Sequence, residues 1–230
     1  MDSAVLSPLE QPTLSAHVGR HILEFVYRER LRPGDRVPSE VQIGRELKVS
    51  RGSVREAYRT LAALGILKIE SGRKPRLRPI DPKVMAQVFD YALNTAQVDM
   101  AHVIETRRAI ELQTAQLAAR HASEAQRRRL RELVAQMRSA AADHVLRVAS
   151  DMAIHAAIAE ASGNPLNILL LSALRSPEEA SSRIHSDGSR TESELIRVID
   201  AHDAVVARIC AGDPAGAASA MSHHFDVSIT

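Results

Sequence analysis

The sequence predicts a mainly α protein, an N-terminal winged helix-turn-helix followed by an all-helical antiparallel bundle. Three observations carry that prediction. Pro38 to Gly65 holds two short helical patterns with separate caps, broken at Lys48-Val49-Ser50 and followed by a short hairpin pattern. From Pro82 onward almost every stretch reads helical, with Gly and Pro gathered where one helix would stop and the next begin. Charge divides along the same line: through Pro79 there are fifteen Lys and Arg against nine Asp and Glu, plus six, and beyond it fifteen against nineteen, minus four. A chain of 230 residues, 45% of them hydrophobic, can bury the cores of two modest domains.

Residues 1–12, with Pro8 and Pro12, read as a flexible arm. Val18, Ile22, Phe25 and Val26 then mark an amphipathic helix from Thr13 to Leu31, ended by Arg32-Pro33-Gly34. Ser39 can cap the next helix with Gln42 reaching back to it, and Ser50 caps the one after. In that third helix Val54, Ala57, Leu61 and Leu64 form an apolar stripe, while Arg51, Arg55 and Arg59, each four residues apart, form a basic one beside it. A helix that docks by one face and offers arginines on the other suits the major groove, where Arg meets phosphates or the guanine edge. Ile66 to Glu70 is a predicted strand, Ser71 to Pro75 a basic turn and Arg76 to Arg78 the returning strand, which makes a wing with a cationic tip. A solvated helix pair beside an ordinary hairpin is the alternative; the order and spacing of the parts favour DNA binding. This domain spans 13–79, and Pro79-Ile80-Asp81-Pro82 is the linker to a second domain at 80–230.

In that second domain Asp99 starts a helix running to about Ala122, and Ser123 with Gln126 forms a capping box for the next. Arg127, Arg128, Arg129 and Arg131 read as the exposed side of a helix whose core face is Leu130, Leu133, Val134 and Met137, rather than as a second nucleic-acid patch. Gly163-Asn164-Pro165 and Gly212-Asp213-Pro214 each place Gly past a helix end, then a cap, then Pro in the first turn. The expectation is about six or seven helices with short connections. A helix break or mobile loop is expected around Ser186-Asp187-Gly188-Ser189. No apolar run reaches membrane-spanning length and no signal-peptide pattern opens the chain, so a soluble cytoplasmic protein is expected. The single cysteine, Cys210, excludes an intramolecular disulfide, and the lack of Trp argues against an aromatic stacking pocket.

The histidines of the helical domain form a second candidate site. Asp151 and His155 lie four apart in a helical pattern and point the same way. Taken alone, the pair is also consistent with a capping or salt-bridging Asp beside a core His. His202 and His224 sit among apolar neighbours in two later helices that antiparallel packing can bring level with the pair. A carboxylate with three imidazoles is a sound ligand set for Zn²⁺, Ni²⁺ or Mn²⁺.

The run Leu31-Arg-Pro-Gly-Asp-Arg-Val-Pro-Ser-Glu40, with Val49-Ser-Arg-Gly-Ser-Val-Arg-Glu-Ala57 and Leu61-Ala-Ala-Leu-Gly-Ile-Leu67, resembles the GntR family of bacterial transcription regulators. One position departs: relatives usually carry a DNA-contacting arginine where this chain has Val41. The second half, through Glu105 to Glu111, Asp151 to His155, Ala161 to Pro165, Ala201-His202 and Ala218 to Phe225, is similar to the FCD effector domain of the FadR-like branch. That resemblance implies metal ligands at Asp151, His155, His202 and His224, with His223 adjacent to the last, and a small carboxylate metabolite as effector with Arg107 as its ion-pair partner. From spacing alone, Arg107 would instead pair with Glu111 four residues later.

Together these readings predict a metabolite-responsive regulator, a repressor released by its effector, acting as a homodimer on a pseudo-palindromic double-stranded operator. The predicted DNA contacts are Arg45, Ser50, Arg51, Ser53, Arg55, Gly72 and Arg73, with Arg59 farther from the recognition helix N-terminus. A helical metalloenzyme with an accessory DNA-binding domain is the alternative, weakened by the lack of an HExxH motif or a separate general base. A purely structural metal is a third reading.

Overall fold

A computed structural model of the chain describes residues 13–140, 143–175 and 191–229. The expected arm at 1–12 and the expected break at 186–189 lie outside the described residues. Contacts divide the chain after Asp81 into two units, each with its own core.

In the first unit α1 (Leu14–Arg28) opens at Thr13, whose hydroxyl accepts the Ala16 N–H at 3.2 Å. It stops at Arg28 rather than at Leu31, because the chain reverses through Arg30 at φ 51° before Pro33 is reached. α2 (Glu40–Leu47) carries the full capping box, Ser39 accepting from Gln42 N and the Gln42 side chain accepting from Ser39 N at 2.8 Å. α2 closes on Lys48 in the left-handed region, φ 52° and ψ 39°. α3 (Arg51–Ala63) then starts on Ser50, whose Oγ accepts the Ser53 N–H at 3.2 Å. Capping therefore fixes both sides of the turn and the direction in which α3 leaves it.

Val54, Ala57 and Leu61 face inward onto Val18, Ile22, Val26 and Ile43. Leu64 does not complete the stripe. It is the C-cap of α3 and 54% exposed, so the helical period no longer governs its direction. Tyr58 belongs to the core in its place, fully buried, with its hydroxyl donating to the Pro38 carbonyl. Burial, reinforced by the Glu40 charge, pushes that phenol well above its ordinary pKa. The wing is β1 (Leu67–Lys68) antiparallel to β2 (Arg76–Leu77), with Leu67 opposite Leu77. Both leucines are buried, while Lys68 and Arg76 point out. The paired strands are shorter than predicted, but Arg36 adds a bridge to Arg76 that ties the wing to the loop before α2.

The second unit contains, among the described residues, seven helices: α4 (Pro82–Asn94), α5 (Met100–His121), α6 (Glu124–Ser139), α7 (His144–Ala161), α8 (Pro165–Leu174), α9 (Glu192–Cys210) and α10 (Pro214–Ile229). Capping boxes start α5 at Asp99 with His102, α6 at Ser123 with Gln126 and α9 at Thr191 with Glu194. Gly163 and Gly212 take φ 68° and 66° where α7 and α9 end, a backbone that a side chain would strain. Leu130, Leu133, Val134 and Met137 are buried on α6 while Arg128, Arg129 and Arg131 are exposed, so the arginine run is a solvated helix face. Arg127 is the exception, donating to the Cys210 carbonyl at 2.9 Å and linking α6 to α9.

α5 is the central helix and packs against α7, α8, α9 and α10. The core is apolar at Ala115, Ala118, Ile154, Ile158, Ile199, Val205, Ile209, Met221 and Phe225. Close to these lie Arg107, Glu111, Asp151, His155, His202 and His224, all buried. Ionisable groups at this depth need partners. No described helix is long and apolar enough to cross a membrane.

Candidate functional site

The predicted nucleic-acid contacts fall on the outer side of the first unit. Arg51 is the first residue of α3, and Ser50 and Ser53 stand at its N-terminus with their hydroxyls 3.0 Å apart. That end also carries unpaired backbone N–H groups and the positive pole of the helix, both favourable to a phosphate. Arg45, Arg51, Arg55 and Arg59 are exposed. Arg55 lies 3.8 Å from Glu40 on α2, a loose pair that leaves its side chain 63% exposed. Gly72 and Arg73 are exposed at the tip of the wing, and Arg73 reaches back to Glu70 at 3.2 Å. Hydrogen bonds from Lys68 and then from Arg73 hold the Glu70 carboxyl below its ordinary pKa. Val41 is exposed at the second position of α2, an apolar side chain on the surface that carries Arg45.

In the second unit α7 supplies Asp151 and His155, α9 supplies His202 and α10 supplies His224. One ligand atom from each lies within 4.8 Å of the others, and all four residues are buried. Asp151 Oδ1 is 2.9 Å from His202 Nε2 and 3.6 Å from His155 Nε2. His155 Nε2 is 3.1 Å from His224 Nε2. His223, the neighbouring candidate, is exposed, so one residue of helical rotation separates the two.

The outer ring nitrogens decide what the inner ones can do. His202 Nδ1 donates to the Val198 carbonyl at 2.8 Å. His155 Nδ1 donates to the Glu111 carboxylate. With Nδ1 of each ring engaged by an acceptor on the outer side, the Nε2 atoms point inward, where deprotonation makes them ligands. His224 Nδ1 stands 3.3 Å from Ser228 Oγ, which leaves its Nε2 on the same inner side. His202 Nε2 is buried without a hydrogen-bond partner although a carboxylate oxygen lies 2.9 Å away, an inward-facing nitrogen that a cation could use. Burial, then the neighbouring His202 and His155, hold the His224 pKa well below 6.5, which favours the neutral, ligating imidazole. One carboxylate and three imidazole nitrogens converging in this way fit a divalent cation of the Zn²⁺, Ni²⁺ or Mn²⁺ type.

Arg107 is fully buried, and its guanidinium engages Glu111 Oε1 through Nε at 3.1 Å and Nη2 at 2.9 Å. Arg175, at the C-cap of α8, adds Nη2 contacts of 3.0 and 3.2 Å to the two oxygens of the same carboxylate. Burial alone would raise the Glu111 pKa, but His155, Arg175 and Arg107 together hold it well below the usual range. Glu111 was visible in the sequence only as the i,i+4 partner of Arg107. Its links to His155 and Arg175 join residues 44 and 64 positions away, and no local pattern reports such contacts.

Comparison with known proteins gives an independent frame. The family described as "Bacterial regulatory proteins, gntR family" matches residues 14–74, and the FCD domain matches residues 102–227. The HTH-type transcriptional regulator LutR of Bacillus subtilis (strain 168) is 30% identical over 202 residues, covering 84% of this chain and 90% of that protein. The HTH-type transcriptional repressor NanR of Salmonella schwarzengrund (strain CVM19633) is 26% identical over 203 residues, 84% of this chain and 77% of that protein. Among solved structures, Streptococcus agalactiae GntR superposes with a TM-score of 0.67 at 23% identity, covering 93% of this chain and 97% of that one. That structure carries the same two-part fold.

Proposed function

Because the chain belongs to the GntR family of bacterial regulatory proteins and carries an FCD domain, we propose that it is a metabolite-responsive repressor whose helical domain binds a small carboxylate at a metal centre. The family's members here are transcription regulators rather than enzymes, so the metalloenzyme alternative has no support. In this reading residues 13–79 bind DNA, 80–230 bind effector and pair two chains, and the protein works in the cytoplasm. The observation that carries the metal reading is the convergence of Asp151, His155, His202 and His224 within 4.8 Å.

Arg51, Ser53 and Arg55 would enter the major groove, Ser50 and Arg45 would flank it, and Gly72 with Arg73 would follow the backbone or minor groove. Two copies related by a two-fold axis would read a pseudo-palindromic duplex. A divalent cation held by the four ligands would offer coordination positions to an oxygen of a small carboxylate. Val198, Glu111 and Ser228 keep the imidazoles turned toward that position. Arg107, in the same polar interior, would meet the rest of the effector carboxylate, exchanging part of its contact with Glu111 for it. An effector acts only through unequal affinity for the DNA-binding and DNA-released forms.

Selection of duplexes from a random pool by the full-length protein tests the reading. Recovery of a two-fold-related sequence, lost with Arg51→Ala or Arg55→Ala, is the expected result. Recovery of no preferred sequence, or the same sequence from both variants at equal affinity, would contradict the assignment of α3.

A further inference from the structure

Resting on the metal reading above, we infer that Glu111 and Arg175 are positioning residues of the centre, forming a relay Arg175–Glu111–His155 that presents His155 Nε2 to the cation. The geometry distributes the Glu111 oxygens. Oε2 accepts the His155 Nδ1 proton, on the ring edge opposite Nε2, so Glu111 itself stands outside the ligand set. Oε1 takes Arg107 Nε at 3.1 Å, Arg107 Nη2 at 2.9 Å and Arg175 Nη2 at 3.0 Å, and the same Arg175 Nη2 also reaches Oε2 at 3.2 Å. Two guanidiniums converge on this one carboxylate at a position 1% exposed, which fixes where its oxygens stand against the His155 Nδ1–H.

Arg175 has a second contact that makes the relay specific. Its Nη1 reaches the Met152 carbonyl at 3.4 Å, next to Asp151 on α7. One arginine at the end of α8 therefore touches both the carboxylate that orients His155 and the backbone beside the other α7 ligand. A simple i,i+4 pair of Arg107 and Glu111 would need neither contact. Losing the outer carboxylate of such a triad typically weakens metal binding by about ten- to a hundredfold.

The test measures Zn²⁺ affinity by chelator competition for the full-length wild type and Glu111→Gln, with folding checked by circular dichroism. Wild type binding one Zn²⁺ per chain, with folded Glu111→Gln about ten- to a hundredfold weaker, supports the relay. Equal affinity in both would overturn the relay and leave the metal centre standing. No binding by wild type would overturn the metal reading itself, and the relay with it. If Glu111→Gln fails to fold, nitrogen-15 spectra of histidine-labelled wild type decide, with His155 assigned from the signal lost in His155→Phe. A proton on His155 Nδ1 and Zn²⁺ on Nε2 is expected; Zn²⁺ on Nδ1, or a proton on Nε2 in the loaded protein, would refute the relay.

Discussion

The two units keep their chemistry on opposite sides of their cores. In the first, exposed arginines stand on α2, α3 and the wing above a core of Val18, Ile22, Ile43, Val54, Tyr58 and Leu61. In the second, the polar groups are themselves interior, with Arg107, Glu111, Asp151, His155, His202 and His224 all buried. In the proposed function this difference would separate binding from folding in one unit and join them in the other. Exposed side chains on an apolar core can change with little effect on stability. Buried polar groups contribute to the fold itself, so a cation held among them, as proposed, would stabilise the helical unit directly.

The sharpest way to break this contrast is to remove one of the four residues proposed to hold the cation. At Zn²⁺ a thousand times above its Kd the folded state gains about 4 kcal/mol. Asp151→Ala should therefore melt at one temperature with and without Zn²⁺, while the wild-type helical unit loses several degrees in chelator; scanning calorimetry reads both. In the first unit Ile43→Ala opens a cavity in a site of 0% exposure and should destabilise it by about 2–5 kcal/mol with Zn²⁺ affinity unchanged. A shift in Zn²⁺ affinity there would deny the independence of the two cores.

Arg55→Ala should weaken duplex binding by about 1–3 kcal/mol if it reaches a base edge, and leave unfolding within about 0.5 kcal/mol of wild type. Its pair with Glu40 is long and solvated, which is why little stability follows from it. Smallest is Ser39→Ala, which removes one half of a capping box and should cost about 1 kcal/mol in chemical denaturation.

Local chemistry was the readable part of the sequence. Ser39 with Gln42, Ser50, Asp99 and Ser123 act within three residues, so the starts of α2, α3, α5 and α6 were fixed by neighbours. Helical period located the inward faces but failed at the end of α3, where Leu64 turns outward and Tyr58, anchored to the distant Pro38 carbonyl, fills the core. Asp151 and His155 could be paired by spacing. His202 and His224 needed the packing of α7, α9 and α10 to reach them, which the family resemblance supplied and periodicity did not. Glu111 and Arg175 lay beyond both, since a carboxylate shared between three helices leaves no mark on any one of them.

The most direct measurement is the affinity of the full-length protein for its selected duplex at fixed salt, by fluorescence anisotropy, across a panel of small carboxylates with Zn²⁺ and again in chelator. At least one carboxylate should change the Kd by about 5- to 150-fold in the Zn²⁺-loaded protein, and chelator should abolish the change. A Kd that no carboxylate moves, or one moved equally after the metal is stripped, would contradict control through Asp151, His155, His202 and His224.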